Sequence, residues 1–188
     1  PVECFDINAR ILFTICETIK NCGKKIKFFQ ANSAELYKGL LNGEQLIVNE
    51  EMLNFHPITP YSISKLAAYW TIRYYREKFD LFGCNGMLFT TESPYRHDRY
   101  LSKKVTNFVK NMKKNDILEV GNLNCCRDWI HAKDAANGIY LMLQQENPDD
   151  YIISSNTSNT IRYLIELCFK SKNIDIEWIG DGLEEIGI

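Results

Sequence analysis

Tyr61 and Lys65 stand four residues apart in the run Tyr61-Ser62-Ile63-Ser64-Lys65, at the start of a long helical pattern. About one helical turn separates them, so a phenol and an ammonium share a face. A nearby fixed cation favours phenolate over phenol and draws a tyrosine pKa down from about 10 toward the working range. Such a pair is a general acid/base suited to a sugar hydroxyl. By itself the spacing more often means a surface tyrosine and lysine, so the neighbours decide. Ser33 and Glu35 follow one apolar run, residues 26–31, and Thr91-Glu92-Ser93-Pro94-Tyr95-Arg96 follows another, residues 84–89. Open α/β sheets hold ligands beyond the carboxyl ends of their strands. A hydroxyl, a carboxylate, a phenol and a cation gathered there can carry out successive proton and hydride steps.

The elements that must position these groups follow from periodicity. A helix is expected over 6–21, with Ile7, Ile11, Leu12, Ile15 and Ile19 near one face and Cys22-Gly23 as its stop. A strand buried on both faces follows at 26–31, then a loop over 38–59 punctuated by Gly39, Gly43, Pro57 and Pro60. Thr59 caps a helix over 61–78, in which Ala67-Ala68 allows close packing, and a strand follows at 84–89. Beyond it come a helix over 101–112, a strand at 117–120, a turn at Gly121-Asn122 and a helix over 131–144. A strand at 151–154, a helix over 160–170 and a last strand at 174–178 complete the pattern. Lys103, Lys104, Lys113 and Lys114 read as solvated charge, and Cys125-Cys126 as a strand pair. This alternation predicts an α/β fold, a partial doubly wound, Rossmann-like parallel sheet plus part of a smaller substrate-binding region.

Composition removes other classes. The 188 residues carry a net charge of −2, which gives no general attraction for nucleic acid or membrane. No apolar run reaches spanning length and no basic-then-apolar leader opens the sequence, so a cytoplasmic location is expected. The seven cysteines form no CxxC pair, and His56, His97 and His131 lie far apart, which argues against a metal site or disulfide framework. Several cysteines sit at apolar positions, as suits reduced, buried thiols. Pro1 is an unusual beginning and suggests a piece of a longer protein.

Five segments together resemble one family. QANSAELY (30–37), TPYSISKLAAYW (59–70), NGMLFTTESPYR (85–96), GNLNCCRDWIHAKD (121–134) and EWIGDGLEEIG (177–187) are similar to GDP-mannose 4,6-dehydratases, extended short-chain dehydrogenases that modify nucleotide sugars. The resemblance covers nearly the entire chain, and RDWxHAKD is particular to this branch; dTDP-glucose and UDP-sugar dehydratases are the nearest competitors. It implies an internal redox cycle on a nucleotide-linked hexose with NADP as cofactor. Tyr61 would take the proton of the 4-hydroxyl, Glu35 the hydrogen on carbon 5, and water would leave from carbon 6, giving a 4-keto-6-deoxy sugar. Ser33 stands where the family has threonine and can still bond the 4-hydroxyl. Lys65 would bind the nicotinamide ribose and tune Tyr61, and Arg96 matches an arginine assigned to the cofactor. Glu92, Ser93 and Arg127 fall on the substrate side, Arg127 within reach of nucleotide phosphate. Asn122 and Asp128 read as residues that hold a turn and a cap. On this basis residues 1–120 correspond to the second half of an NADP-binding domain with the catalytic residues. Residues 121–188 correspond to a mixed segment including part of the nucleotide-sugar-binding region.

The pattern is broken in places. No G-x-G-x-x-G occurs, so the turn that sets pyrophosphate on a helix N-terminus has no counterpart, and the family's amino-terminal half and carboxyl end are expected to be missing. Ala34, Thr90-Thr91, Tyr95, His97 and Ile11-Leu12 replace family residues, mostly near cofactor. Two functions follow: the middle portion of an enzyme whose remaining segments lie on another chain or outside this piece, with a homo-oligomer or a complementing chain as expected partner, or a non-catalytic relative serving as a structural or interaction module.

Overall fold

The computed structural model describes residues 1–41 and 46–188; Gly43 lies outside the described residues. Two compact units emerge, one of residues 1–89 with 133–154, the other of residues 90–132 with 155–188.

In the first unit a helical segment opens as α1 (Val2–Phe5), passes through a π turn (Asp6–Arg10) and continues as α2 (Ile11–Asn21). Helix therefore begins before residue 6, and Gly23, at φ +67°, follows its end as expected. The buried face differs from the expected one. Ala9, Leu12 and Cys16 are buried, while Ile7, Ile11 and Ile15 stay exposed. Leu12 and Cys16 pack with Ala68, Ile72, Tyr75 and Leu81, and small side chains at 9, 16 and 68 let the helices approach closely.

β1 (Phe28–Ser33) runs two residues later than the apolar run suggested and leads directly into a 3₁₀ helix (Ala34–Leu40). The apolar run misjudged the boundary because the strand's α3-side face is polar: Gln30 and Asn32 are buried there. α3 (Pro60–Phe79) starts with reciprocal capping: Thr59 Oγ1 accepts from Ser62 N and Ser62 Oγ accepts from Thr59 N, both at 3.0 Å. Such a cap stabilises a helix by about 1 kcal/mol. The helix stops at Asp80, whose φ of +52° is left-handed.

β2 (Gly83–Leu88) pairs in parallel with β1, from Phe28 opposite Gly83 to Ser33 opposite Leu88. α5 (Ala132–Gln144) and β5 (Asp150–Ile153) complete the unit, and the sheet order is β1-β2-β5, all parallel. Successive residues of a strand point to opposite faces. Asn85 accordingly reaches the Tyr69 carbonyl on α3, and Cys84 Sγ reaches the Met142 carbonyl on α5. Helices therefore cover both faces, the doubly wound arrangement. A Cβ on Gly86 would meet the Phe29 ring at 2.6 Å, so only glycine permits that ring's position. Beyond β5, the Glu50 carboxylate accepts from the Ile152 amide at 3.0 Å.

The second unit contains β3 (Thr90–Glu92), α4 (Leu101–Asn111), β4 (Cys126–His131), β6 (Ser158–Thr160) and α6 (Ile161–Lys170). β4 lies between parallel β3 and antiparallel β6. Val105, Val109, Leu123, Ile161 and Ile165 form its core. The strand expected at 117–120 is absent: Leu118 and Val120 pack on that core, while Ile117 is 84% exposed. The strand expected at 174–178 shrinks to β7 (Trp178–Ile179), paired antiparallel with β8 (Ile186–Gly187). Residues before it turn off α6 instead, since Ile174 N bonds the Phe169 carbonyl. Cys126 opens β4 but Cys125 precedes it. Lys103 and Lys104 are more than solvated charge, donating to the Pro94 and Glu119 carbonyls at 2.8 and 2.6 Å.

Candidate active site

Ser33 is both the last residue of β1 and the cap of the 3₁₀ helix, its Oγ accepting from Glu35 N at 3.2 Å. A hydroxyl that accepts a bond keeps its own hydrogen for donation. Glu35, in the first turn, forms an ion pair with Lys38 at 3.0 Å. Both side chains are more than a third exposed, so the pairing is weak and the carboxylate open to solvent.

Tyr61 and Lys65 occupy the first turns of α3. Lys65 Nζ lies 5.5 Å from the centre of the Tyr61 ring and donates to the Ala31 carbonyl at 2.9 Å. Burial holds the Lys65 ammonium below the ordinary lysine range, an effect partly offset by the field of the Cys4 thiol. The amine is thereby fixed on the strand two residues before Ser33, which joins the carboxyl end of β1 to the start of α3. Tyr61 is 40% exposed, so its phenol is reachable from solvent.

The remaining sequence-predicted site residues belong to the second unit. Glu92 accepts from the Ser102 hydroxyl at 2.6 Å and lies 3.7 Å from Arg96. The Arg96 guanidinium stacks 3.6 Å from the centre of the Tyr100 ring. Ser93 Oγ accepts from Tyr95 N at 3.2 Å, a local turn. Arg127 is exposed on β4, with Nη1 on the Cys126 carbonyl at 2.7 Å. Asn122 holds a turn through Asn124 N, as expected, and Asp128 secures the Ser155 amide at 2.8 Å.

Sequence reasoning missed a buried polar network behind α3. Asp150 Oδ2 accepts from Tyr69 at 2.7 Å, and Oδ1 from Asn85 and Arg76 at 2.8 and 2.9 Å, with Arg73 at 3.5 Å. Asn85 Oδ1 in turn accepts from Asn32 Nδ2 at 2.7 Å. Burial, followed by the bond to Asp150, pushes the Tyr69 phenol up to about 12. The available signal was an asparagine just after the first apolar run, Asn32, and another inside the second, Asn85. Lys38 was also missed, although it stands three residues from Glu35.

As for a nicotinamide cofactor, the residues present fit one end of it. The half-buried Lys65 ammonium beside Tyr61 suits a ribose hydroxyl, whereas no glycine-rich turn in this sequence offers a pyrophosphate cradle.

Solved structures place the fold in a class. A dTDP-glucose 4,6-dehydratase from Bacillus anthracis, in complex with NAD, superposes with a TM-score of 0.78 at 25% identity, over 95% of this chain and 57% of that one. RMD from Pseudomonas aeruginosa, complexed with NADPH, gives 0.75 at 23% identity, over 87% and 56%. The fold is thus the Rossmann type of the nucleotide-sugar dehydratases. Within that class, the family model for GDP-mannose 4,6 dehydratase matches residues 1–188, and the chain belongs to this family. A GDP-mannose 4,6 dehydratase of Dictyostelium discoideum is 38% identical over 186 residues, 97% of this chain and 51% of the relative. One from Drosophila melanogaster is 34% identical over 187 residues, 97% and 46%. The chain spans about half the length of the curated relatives it matches.

Proposed function

We propose that this chain carries the acid–base residues of a GDP-mannose 4,6-dehydratase that converts GDP-mannose to GDP-4-keto-6-deoxymannose. Supporting this most directly is the Lys65 bond to the Ala31 carbonyl, which joins the Tyr61 helix to the strand that ends at Ser33. Tyr61 takes the proton of the sugar's 4-hydroxyl, with Lys65 stabilising the phenolate and holding the nicotinamide ribose. Ser33 donates to the same oxygen. Glu35 removes the proton from carbon 5, made acidic by the ketone at carbon 4, as water leaves carbon 6. A nicotinamide cofactor, NADP in this reading, supplies the acceptance and return of hydride. Arg96 binds the cofactor; Glu92, Ser93 and Arg127 bind the substrate, Arg127 on a phosphate. The roles divide at residue 120, with cofactor and catalysis before it and part of the nucleotide-sugar region after it. The protein works in the cytoplasm as a homo-oligomer or with a complementing chain.

Among the described residues, no helix is long and apolar enough to cross a membrane. A second reading is a non-catalytic relative that uses the dehydratase fold as an interaction module. Incubation with GDP-mannose and NADP, following the keto-sugar's alkali-induced absorbance, separates the two. Turnover lost in Tyr61→Phe or Glu35→Gln supports the enzyme. No turnover, even when an amino-terminal half is supplied, supports the module.

A further inference from the structure

We propose that Asn32 and Asn85 are positioning residues that close a hydrogen-bonded ring around the base of the candidate site and so hold the Lys65 amine in place. The inference rests on the reading of Lys65 and Ser33 as site residues. Starting from α3, Lys65 Nζ donates to the Ala31 carbonyl at 2.9 Å. The next residue on β1, Asn32, donates through Nδ2 to Asn85 Oδ1 at 2.7 Å. Asn85 Nδ2 donates to the Tyr69 carbonyl at 3.2 Å, and one helical turn leads from Tyr69 back to Lys65. The ring crosses from β1 to β2 to α3 and returns, so the helix cannot slide along its axis without breaking a bond. Asp150 braces it, taking both the Asn85 amide and the Tyr69 phenol.

Asn32 argues against a purely stabilising role. Its Oδ1 is buried with no hydrogen-bond partner among the described residues. An orphaned buried acceptor is destabilising, and an apolar residue of similar shape would avoid that loss. The asparagine therefore sacrifices stability for a directed bond beside Ser33. Both asparagines are nearly free of solvent, so water cannot replace either of them.

The ring can be tested on the whole chain without substrate or cofactor. Lysines labelled with carbon-13 at Cε are titrated by NMR, with Lys65→Arg identifying the Lys65 signal. Cys4 on α1 and Tyr61 on α3 are the titratable groups beside the amine, so titrations are run in the Cys4→Ser background. In that background Lys65 titrates below the other lysines. Asn85→Ala and Asn32→Ala each open the ring and move the Lys65 midpoint up to that of the exposed lysines. Tyr75→Phe, which removes the bond to Glu17 elsewhere on α3, lowers stability and leaves Lys65 where it was. If Asn85→Ala does not fold, Asn32→Ala decides, since the braced Asn85 remains. A Lys65 midpoint unchanged in the folded ring variants, or raised equally in Tyr75→Phe, overturns the proposal. Because no turnover is read, its failure leaves the proposed activity standing, and failed turnover leaves the ring standing.

Discussion

Glu35 and Lys38 face each other across one turn of the 3₁₀ helix, with Lys38 Nζ 3.0 Å from Oε2 of the carboxylate. The pair places a positive charge on the group proposed to take a proton from carbon 5. Exposure limits its strength to about 1 kcal/mol or less. A double-mutant cycle of Lys38→Ala with Glu35→Gln, read by urea denaturation, should give a coupling within that bound. A larger coupling would mean that Glu35 is held as a structural anion and is no longer open to a substrate.

Asp150 carries a much larger load. Its side chain is 6% exposed and receives Tyr69, Asn85, Arg73 and Arg76. Asp150→Ala leaves the Arg76 guanidinium without its carboxylate, while Arg73 keeps Glu77 at 3.7 Å, and should destabilise the chain by about 3–5 kcal/mol. Chemical denaturation followed by circular dichroism checks this, and a loss below about 1 kcal/mol would show the network to be solvated.

Stability should fall in alkali. Burial pushes the Cys16 thiol from 9.0 up to about 11, and Tyr37 and Tyr69 from 10.0 up to about 12. The unfolded chain loses these protons first, so their contribution is complete below about pH 9 and lost as pH rises through about 11 and 12. Cys16→Ala should flatten the early part of this decline. Unfolding free energies of the parent and Cys16→Ala measured between pH about 8 and about 11 give the two slopes, which would be equal if the thiol ionised as freely in the folded state.

The proposed acid–base roles predict a graded loss of turnover once an amino-terminal half is supplied. Tyr61→Phe and Glu35→Gln should each lower turnover by about 10²–10⁴-fold, a loss far larger than a stability change of about 1 kcal/mol or less would cause. Ser33→Ala should cost less, since it removes one hydrogen bond to the same oxygen. Alone, the chain should bind NADP weakly, and fluorescence titration of the reduced cofactor measures this; tight binding would mean that a cradle exists without the glycine-rich turn.

Much of this arrangement was legible in the sequence because it depends on neighbours in the chain. Thr59, Pro60 and Ser62 announce the start of α3, and the four-residue spacing of Tyr61 and Lys65 is a property of any helix. The apolar run of β2 is also local, and its expected position differs by one residue. What escaped was set by packing between distant segments. The end of β1 was misjudged because Asn32 reads as a strand breaker until Asn85, on the neighbouring strand, supplies its acceptor. α2 carries two apolar stripes, and only the presence of Ala68 and Ile72 selects the one with small residues. Residues 117–120 look like a strand by composition but have no paired neighbour, and packing on the core of the second unit holds Leu118 and Val120 instead.

The Glu50 carboxylate on the Ile152 amide has a consequence for how copies of this protein meet in a crowded solution. An outermost strand ordinarily invites another chain to zip onto it, the first step of fibril growth. Here the intruder would first have to displace a carboxylate that already occupies one of the strand's amides. The sheet is thereby guarded on that flank by a single acidic side chain reaching over from a loop.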